Sequence, residues 1–162
     1  MRVILSAWVV AGVMVSNMVQ AHCEVPCGIY TDDMRVQMIR EDGETIRKAM
    51  TQIEALSKAE TVNYNQIVRW TTTKEDHANK IQDIIYQYFM TQRIKPVQPE
   101  KDSRDYDKYV HELTLLHGIL VQAMKCKQTT DTTHVDQLLE KLAAFEASYF
   151  AKPAKEHLNE HH

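Results

Sequence analysis

From residue 32 onward, apolar side chains recur every three or four positions, the signature of helices that bury one face. The first such stretch runs from about Asp32 to Leu56, where Met34, Met38, Ile39, Ile46, Met50 and Ile53 form the stripe. Gly43 falls in its middle and costs up to about 1 kcal/mol relative to alanine there. A second stretch, from about Tyr64 to Thr91, carries Ile67, Trp70, Ile81, Ile84, Ile85, Tyr88 and Phe89. Pro96 and Pro99 then forbid helix continuation and mark a loop. A third, from about Ser103 to Lys127, aligns Tyr106, Val110, Leu113, Leu116, Leu120 and Met124, and a threonine-rich turn from Gln128 to Thr133 closes it. The last, from about Thr133 to Phe150, uses Val135, Leu138, Leu142 and Phe145. Each stripe is too apolar for water and too narrow to be buried all round, so the four helices share one core. The expected fold class is all-α, an up-and-down four-helix bundle over 31–152, with no strand, no internal repeat and a frayed tail at 153–162. The methionine and aromatic positions read as core.

The segment before residue 32 is different in kind. Arg2 provides a short positive start, Val3 to Val15 is almost wholly apolar, and Val19-Gln20-Ala21 offers small or modest residues for a signal peptidase. Residues 1–21 therefore read as a cleaved secretory signal, and the mature chain as one exported to the periplasm or outside the cell. A retained membrane anchor is the alternative, although the apolar run is shorter than the roughly 20 residues that span a bilayer. A lipoprotein is disfavoured by the bulk of His22 before Cys23, and Arg2 has no second arginine for a twin-arginine route.

Composition narrows the choice further. The 162 residues suit one domain, and a net charge of −3, with 25% charged and 44% apolar residues, matches an ordinary globular protein. A polyanionic partner such as nucleic acid is disfavoured. Three cysteines do not make a disulfide framework. Cys23 and Cys27 lie together at the new N-terminus, whereas Cys126 stands alone in a helical stretch and reads as an inert buried thiol, with an intersubunit bridge as the alternative.

Cleavage after Ala21 frees the α-amine of His22, whose ordinary pKa of about 8 lets it give up its proton to a metal at modest cost. That amine, the His22 imidazole, the Cys23 amide nitrogen and the thiolates of Cys23 and Cys27 lie within a few bonds of one another. Amine and amide close one five-membered chelate ring, and the Cys23 side chain closes a second. Two nitrogens and two sulfurs in a plane suit nickel or copper, whereas zinc prefers a tetrahedron and magnesium or calcium prefers oxygen. Pro26 fixes its own backbone and favours a bend, and Gly28 lets the chain leave it without a Cβ clash. Two other readings stay open on these residues: a secreted nickel or copper carrier without catalysis, and a structural bundle with a Cys23–Cys27 disulfide.

The pattern His22-Cys23-x-x-Pro26-Cys27-Gly28-x-Tyr30 resembles the metal hook of nickel-containing superoxide dismutases at every fixed position. The segments Asn65 to Trp70, Lys74 to His77 and Tyr86 to Phe89 are similar to that family's second helix. The resemblance implies a four-helix bundle assembled as a homohexamer, with one nickel ion per subunit, converting superoxide to dioxygen and hydrogen peroxide. It implies that residues 22–30 form the hook, with His22 giving amine and axial imidazole, Cys23 amide nitrogen and thiolate, and Cys27 the second thiolate. Tyr30 and Tyr88 match the tyrosines that face the open axial position. Some members hold the axial imidazole with a glutamate and an arginine from helices one and two; His77 falls near the arginine's place, and a solvated helix residue is the alternative there. The partners implied are superoxide, further copies of the chain and signal peptidase, with no nucleic acid and no membrane after cleavage. Arg93 and Lys95, which follow Tyr88, are the nearest cations in sequence to attract an anionic substrate. His111 and His117, six apart, do not face one another, and His157, His161 and His162 form a tail cluster that would trap metal loosely.

Overall fold

The computed structural model describes residues 30–99 and 104–151. The signal segment, His22, Cys23 and Cys27, and the tail from 153 lie outside the described residues. Four α-helices follow one another: α1 (Asp32–Ser57), α2 (Tyr64–Asp83), α3 (Arg104–Gln128) and α4 (Thr133–Tyr149), with a π-helical segment (Ile84–Arg93) continuing α2. No strand occurs among the described residues.

Polar residues at the helix starts set the boundaries. Thr31 Oγ1 accepts the Met34 amide at 3.2 Å to cap α1, and Asp32 and Asp33 place negative charge on its first turn. Asn63 Oδ1 caps α2 by accepting the Gln66 amide at 3.1 Å. At α4, Asp131 Oδ1 accepts the Thr133 amide at 2.9 Å.

Long-range pairs fix the helix directions. Arg40 of α1 meets Glu146 of α4 at 2.5 Å, and Arg47 meets Asp136 further along, so rising numbers on α1 face falling numbers on α4. Gln82 reaches the Leu120 carbonyl while Lys74 reaches those of Cys126 and Lys127, so α2 and α3 are antiparallel. Glu112–Ser148 and Gln122–Gln137 show the same for α3 and α4. With α1 packed on α2 and α3 on α4, the result is an up-and-down bundle. Its core holds Val36, Ile39, Ile46 and Met50 of α1, Ile81, Ile85 and Phe89 of the second limb, Leu116 and Ile119 of α3, and Leu138, Leu142 and Phe145 of α4.

Three expectations change on contact with the structure. Met34, Val110 and Met124 are exposed, and neighbouring rows turn inward instead. On α3 the buried row is Leu116, Ile119, Ala123 and Cys126. Gly43 is a packing residue: a Cβ there would meet Leu139 Cδ2 of α4 at 2.8 Å, so the helix-propensity cost accompanies a close approach of α1 and α4. The end of the second limb is π-helical from Ile84, with the Ile94 amide bonded to the Phe89 carbonyl and the Thr91 and Gln92 side chains reaching back five residues to the Tyr86 and Gln87 carbonyls. Ile81, Ile85 and Phe89, and likewise Ile84, Tyr88 and Gln92, repeat in steps of four and all six are buried.

Lys74 closes the α2–α3 seam. Its buried ammonium donates to the Cys126 and Lys127 carbonyls, both at 2.6 Å, two of the four carbonyls that the C-terminus of α3 leaves without intrahelical donors. Lys74→Met keeps the apolar stem but orphans both oxygens, and it should lower unfolding free energy by about 1–3 kcal/mol in denaturant titration. Wild-type stability in that variant would show that the cap is energetically idle.

Candidate metal and anion site

The candidate site gathers where the N-terminus of α1, the π segment and the C-terminus of α4 meet. Asp32 is its hub. Its Oδ1 accepts the Tyr88 hydroxyl at 2.5 Å, and its Oδ2 accepts the Tyr149 hydroxyl and an Arg93 N–H, each at 2.7 Å. Burial opposes ionisation of Asp32, but the bonds from Arg93, Tyr88 and Tyr149 outweigh it and hold the carboxyl below its ordinary range. The two phenols respond in the opposite sense. Burial, followed by the bond to Asp32, raises the pKa of Tyr88 and pushes that of Tyr149 up to about 12. Behind them Phe89 packs edge-on against Tyr88 and Phe145, with ring centroids 5.2 and 5.1 Å away.

Of the two tyrosines singled out in the sequence, Tyr88 is buried and tied to Asp32, whereas Tyr30, the first described residue, is 46% exposed. One side chain joins them. The Arg35 guanidinium carbon lies 5.0 Å from the Tyr30 ring centroid and 4.9 Å from that of Tyr88. Arg93 stands 5.5 Å from the Tyr88 centroid, but its charge is committed to Asp32, and Lys95 is exposed. A recess of about 180 Å³ is lined by Arg35, Asp83, Ile84, Gln87, Tyr88 and Gln92.

A second recess, of about 400 Å³, shares the Asp83 and Ile84 walls and contains Met38, Glu41, Asp42, His77 and Lys80. There His77 Nδ1 lies 2.6 Å from Asp42 Oδ1, joining a carboxylate of α1 to an imidazole of α2. Desolvation raises the Asp42 pKa, and the bond from His77 opposes that shift. His77 is thus a paired, partly buried residue of the α1–α2 seam, one face away from the solvated reading.

Sequence reasoning missed Asp32, Arg35 and Asp42. Arg35 and Asp42 were detectable, since they lie four before and three after Ile39 and therefore on the buried face of α1. Asp32 read as a helix-start residue, and nothing local announced its distant partners.

Metal donors follow a simple division. Among the described residues no group of three His, Cys, Asp or Glu side chains converges to hold an ion. Cys126, the one cysteine there, is fully buried and unpaired, and burial pushes its thiol up to about 11. His111 and His117 are exposed on α3. The donors expected to suit nickel, amine, amide, imidazole and two thiolates of His22, Cys23 and Cys27, lie outside the described residues, which begin at Tyr30 beside Arg35.

The Asp32 junction has a pH signature. Because its pKa is lowered in the fold, its contribution is present above the unfolded value near 3.8 and is lost as pH falls through the lower folded value. Asp42, shifted upward, acts in the opposite direction and cannot supply that loss. Asp32→Asn should cost about 1–3 kcal/mol at neutral pH and flatten the acid limb of the stability curve below pH 3.8. An unchanged acid limb would remove Asp32 from its place as hub.

Comparison with known proteins adds the family. A family profile described as nickel-containing superoxide dismutase matches residues 17–153, which takes in the hook and all four helices. Searches of curated proteins and of solved structures gave no match. A helical bundle of the expected kind, a donor set suited to nickel and a match over most of the length converge: the chain belongs to the nickel-containing superoxide dismutase family.

Proposed function

We propose that the mature chain begins at His22 and disproportionates superoxide to dioxygen and hydrogen peroxide, with one nickel ion held by His22, Cys23 and Cys27. The observation that carries this reading is the junction of Tyr30, Arg35 and Tyr88, which places two phenol rings and a buried cation where the donor segment enters the bundle. When bound, nickel supplies the one-electron steps by alternating between its divalent and trivalent states, which thiolate and amide donors bring within reach.

The protein's own residues handle binding and protons. Two superoxide anions and two protons yield one dioxygen and one hydrogen peroxide, so the site must attract an anion and keep proton donors near. Tyr88 donates a hydrogen bond to Asp32 and is held neutral by burial and that bond, so it serves as a fixed wall. Tyr30, half exposed, is the tyrosine with access to solvent protons. His77 and Asp42 form an imidazole–carboxylate pair joining α2 to α1, a pair that would orient the His22 imidazole when nickel is bound.

The reading includes export after removal of residues 1–21 and a homohexamer. Apolar side chains exposed on α2, Tyr64 and Val68 one turn apart, provide surface that an assembly would cover. A non-catalytic nickel or copper carrier is the competing reading.

Ligand variants separate these readings. Cys23→Ser and Cys27→Ser should each lose the nickel absorption bands and superoxide removal together, because a hydroxyl does not replace thiolate donation. His22→Ala should retain nickel by metal analysis while turnover falls by about tenfold or more, the range of losses seen for metal-site residues. An additional residue before His22 converts the amine to an amide and should abolish activity. Full nickel binding without superoxide removal in the correctly processed wild type would establish the carrier instead.

A further inference from the structure

A buried charge without a counter-ion asks for one. The Arg35 side chain is 7% exposed, its Nε has no hydrogen-bond partner, and it takes part in no ion pair among the described residues. The carboxylate next in line, Asp32, is already engaged by Arg93, Tyr88 and Tyr149. Two aromatic faces offset part of the cost of burying the guanidinium. They do so without neutralising it. An unpaired buried cation is costly enough that an anion able to reach it gains most of the difference.

The surroundings limit what that anion is. The recess of about 180 Å³ beside Arg35 is the size of a few waters at about 30 Å³ each, room for a two- or three-atom ion with its residual solvent. Gln92 in its wall is buried and donates its side-chain amide to the Gln87 carbonyl five residues back. Asp83 also lines the recess, its Oδ1 accepting the Tyr86 hydroxyl at 2.7 Å. A carboxylate in the wall opposes any anion and a multiply charged one most, so of the anions that Arg35 could take the recess favours a monoanion.

We propose that Arg35 forms a binding site for a small monoanion, and that it draws superoxide into the recess between Tyr30 and Tyr88. This rests on the dismutase reading for the identity of the anion, not for the existence of the site. It also resolves a difficulty of charge, since a chain of net charge −3 must attract an anion by a local field. Arg35 is the cation whose charge is not cancelled by a partner there; Arg93, also against Tyr88, is cancelled by Asp32.

Azide serves as a linear monoanionic probe in the metal-free mature chain, since the groups that line the recess lie on α1 and the second helical limb. The Arg35 Nε–H resonance and the Gln92 side-chain amide should move together and saturate on titration, and in Arg35→Gln the Gln92 movement should vanish. In nickel-loaded protein, Arg35→Gln should lower the bimolecular rate constant for superoxide by about tenfold and flatten its dependence on salt, with nickel content unchanged and Arg35→Lys intermediate. Absence of a saturable shift at Arg35 in the wild type, or an Arg35→Gln enzyme with the wild-type rate and salt slope, overturns the proposal. A nickel-loaded wild type that leaves superoxide untouched while Arg35 still takes azide overturns superoxide as the anion and the dismutase reading with it.

Discussion

The carboxylate of Asp32 collects three hydrogen bonds, from Tyr88, Arg93 and Tyr149, residues that arrive from 56, 61 and 117 positions away. Each donor belongs to a different constraint. Tyr88 fixes the rotation of the π segment, Arg93 its end, and Tyr149 the last turn of α4. Because Asp32 is also the first residue of α1, the same contact fixes the start of that helix. Charge on Asp32 makes the junction strong, since bonds to an ionised acceptor are worth about twice those between neutral groups. It also costs the site a cation, because Arg93 is neutralised there.

That loss gives Arg35 its significance. Two arginines stand against the Tyr88 ring, one paired and one not. Between them the local field is set by the unpaired one. The π segment matters for the same reason: its Ile84, Tyr88 and Gln92 are all buried, so that an aromatic wall and an amide share the recess with Arg35. Irregular helix geometry and a buried unpaired polar atom thus occur at the same place, and functional sites are where such departures concentrate.

The fold was readable because four apolar stripes of ordinary length repeat at helical spacing, and their observed ends fall within a residue or two of the expected ones. Where the sequence misled, the cause is specific. Reading α1 in apolar letters alone selected Met34 and passed over Arg35 and Asp42, which share the inward rows with Ile39 and Ile46. The repeat of four at Ile81, Ile85 and Phe89 fits an α-helical template loosely enough to conceal the π turn. Asp32 depends on helix ends meeting in space, which no local pattern encodes. The proposed metal donors are the reverse case: amine, amide, imidazole and thiolates are close along the chain itself, so the proposal rests on residue type and order, and His22, Cys23 and Cys27 lie outside the described residues.

The most direct measurement is the decay of pulse-generated superoxide against nickel occupancy in the processed chain that starts at His22. The account predicts a second-order rate that rises in proportion to bound nickel, starts from zero in the metal-free protein, and is absent when residues 1–21 are retained. Decay that ignores nickel content, or full nickel occupancy in the processed chain with no acceleration, would contradict it.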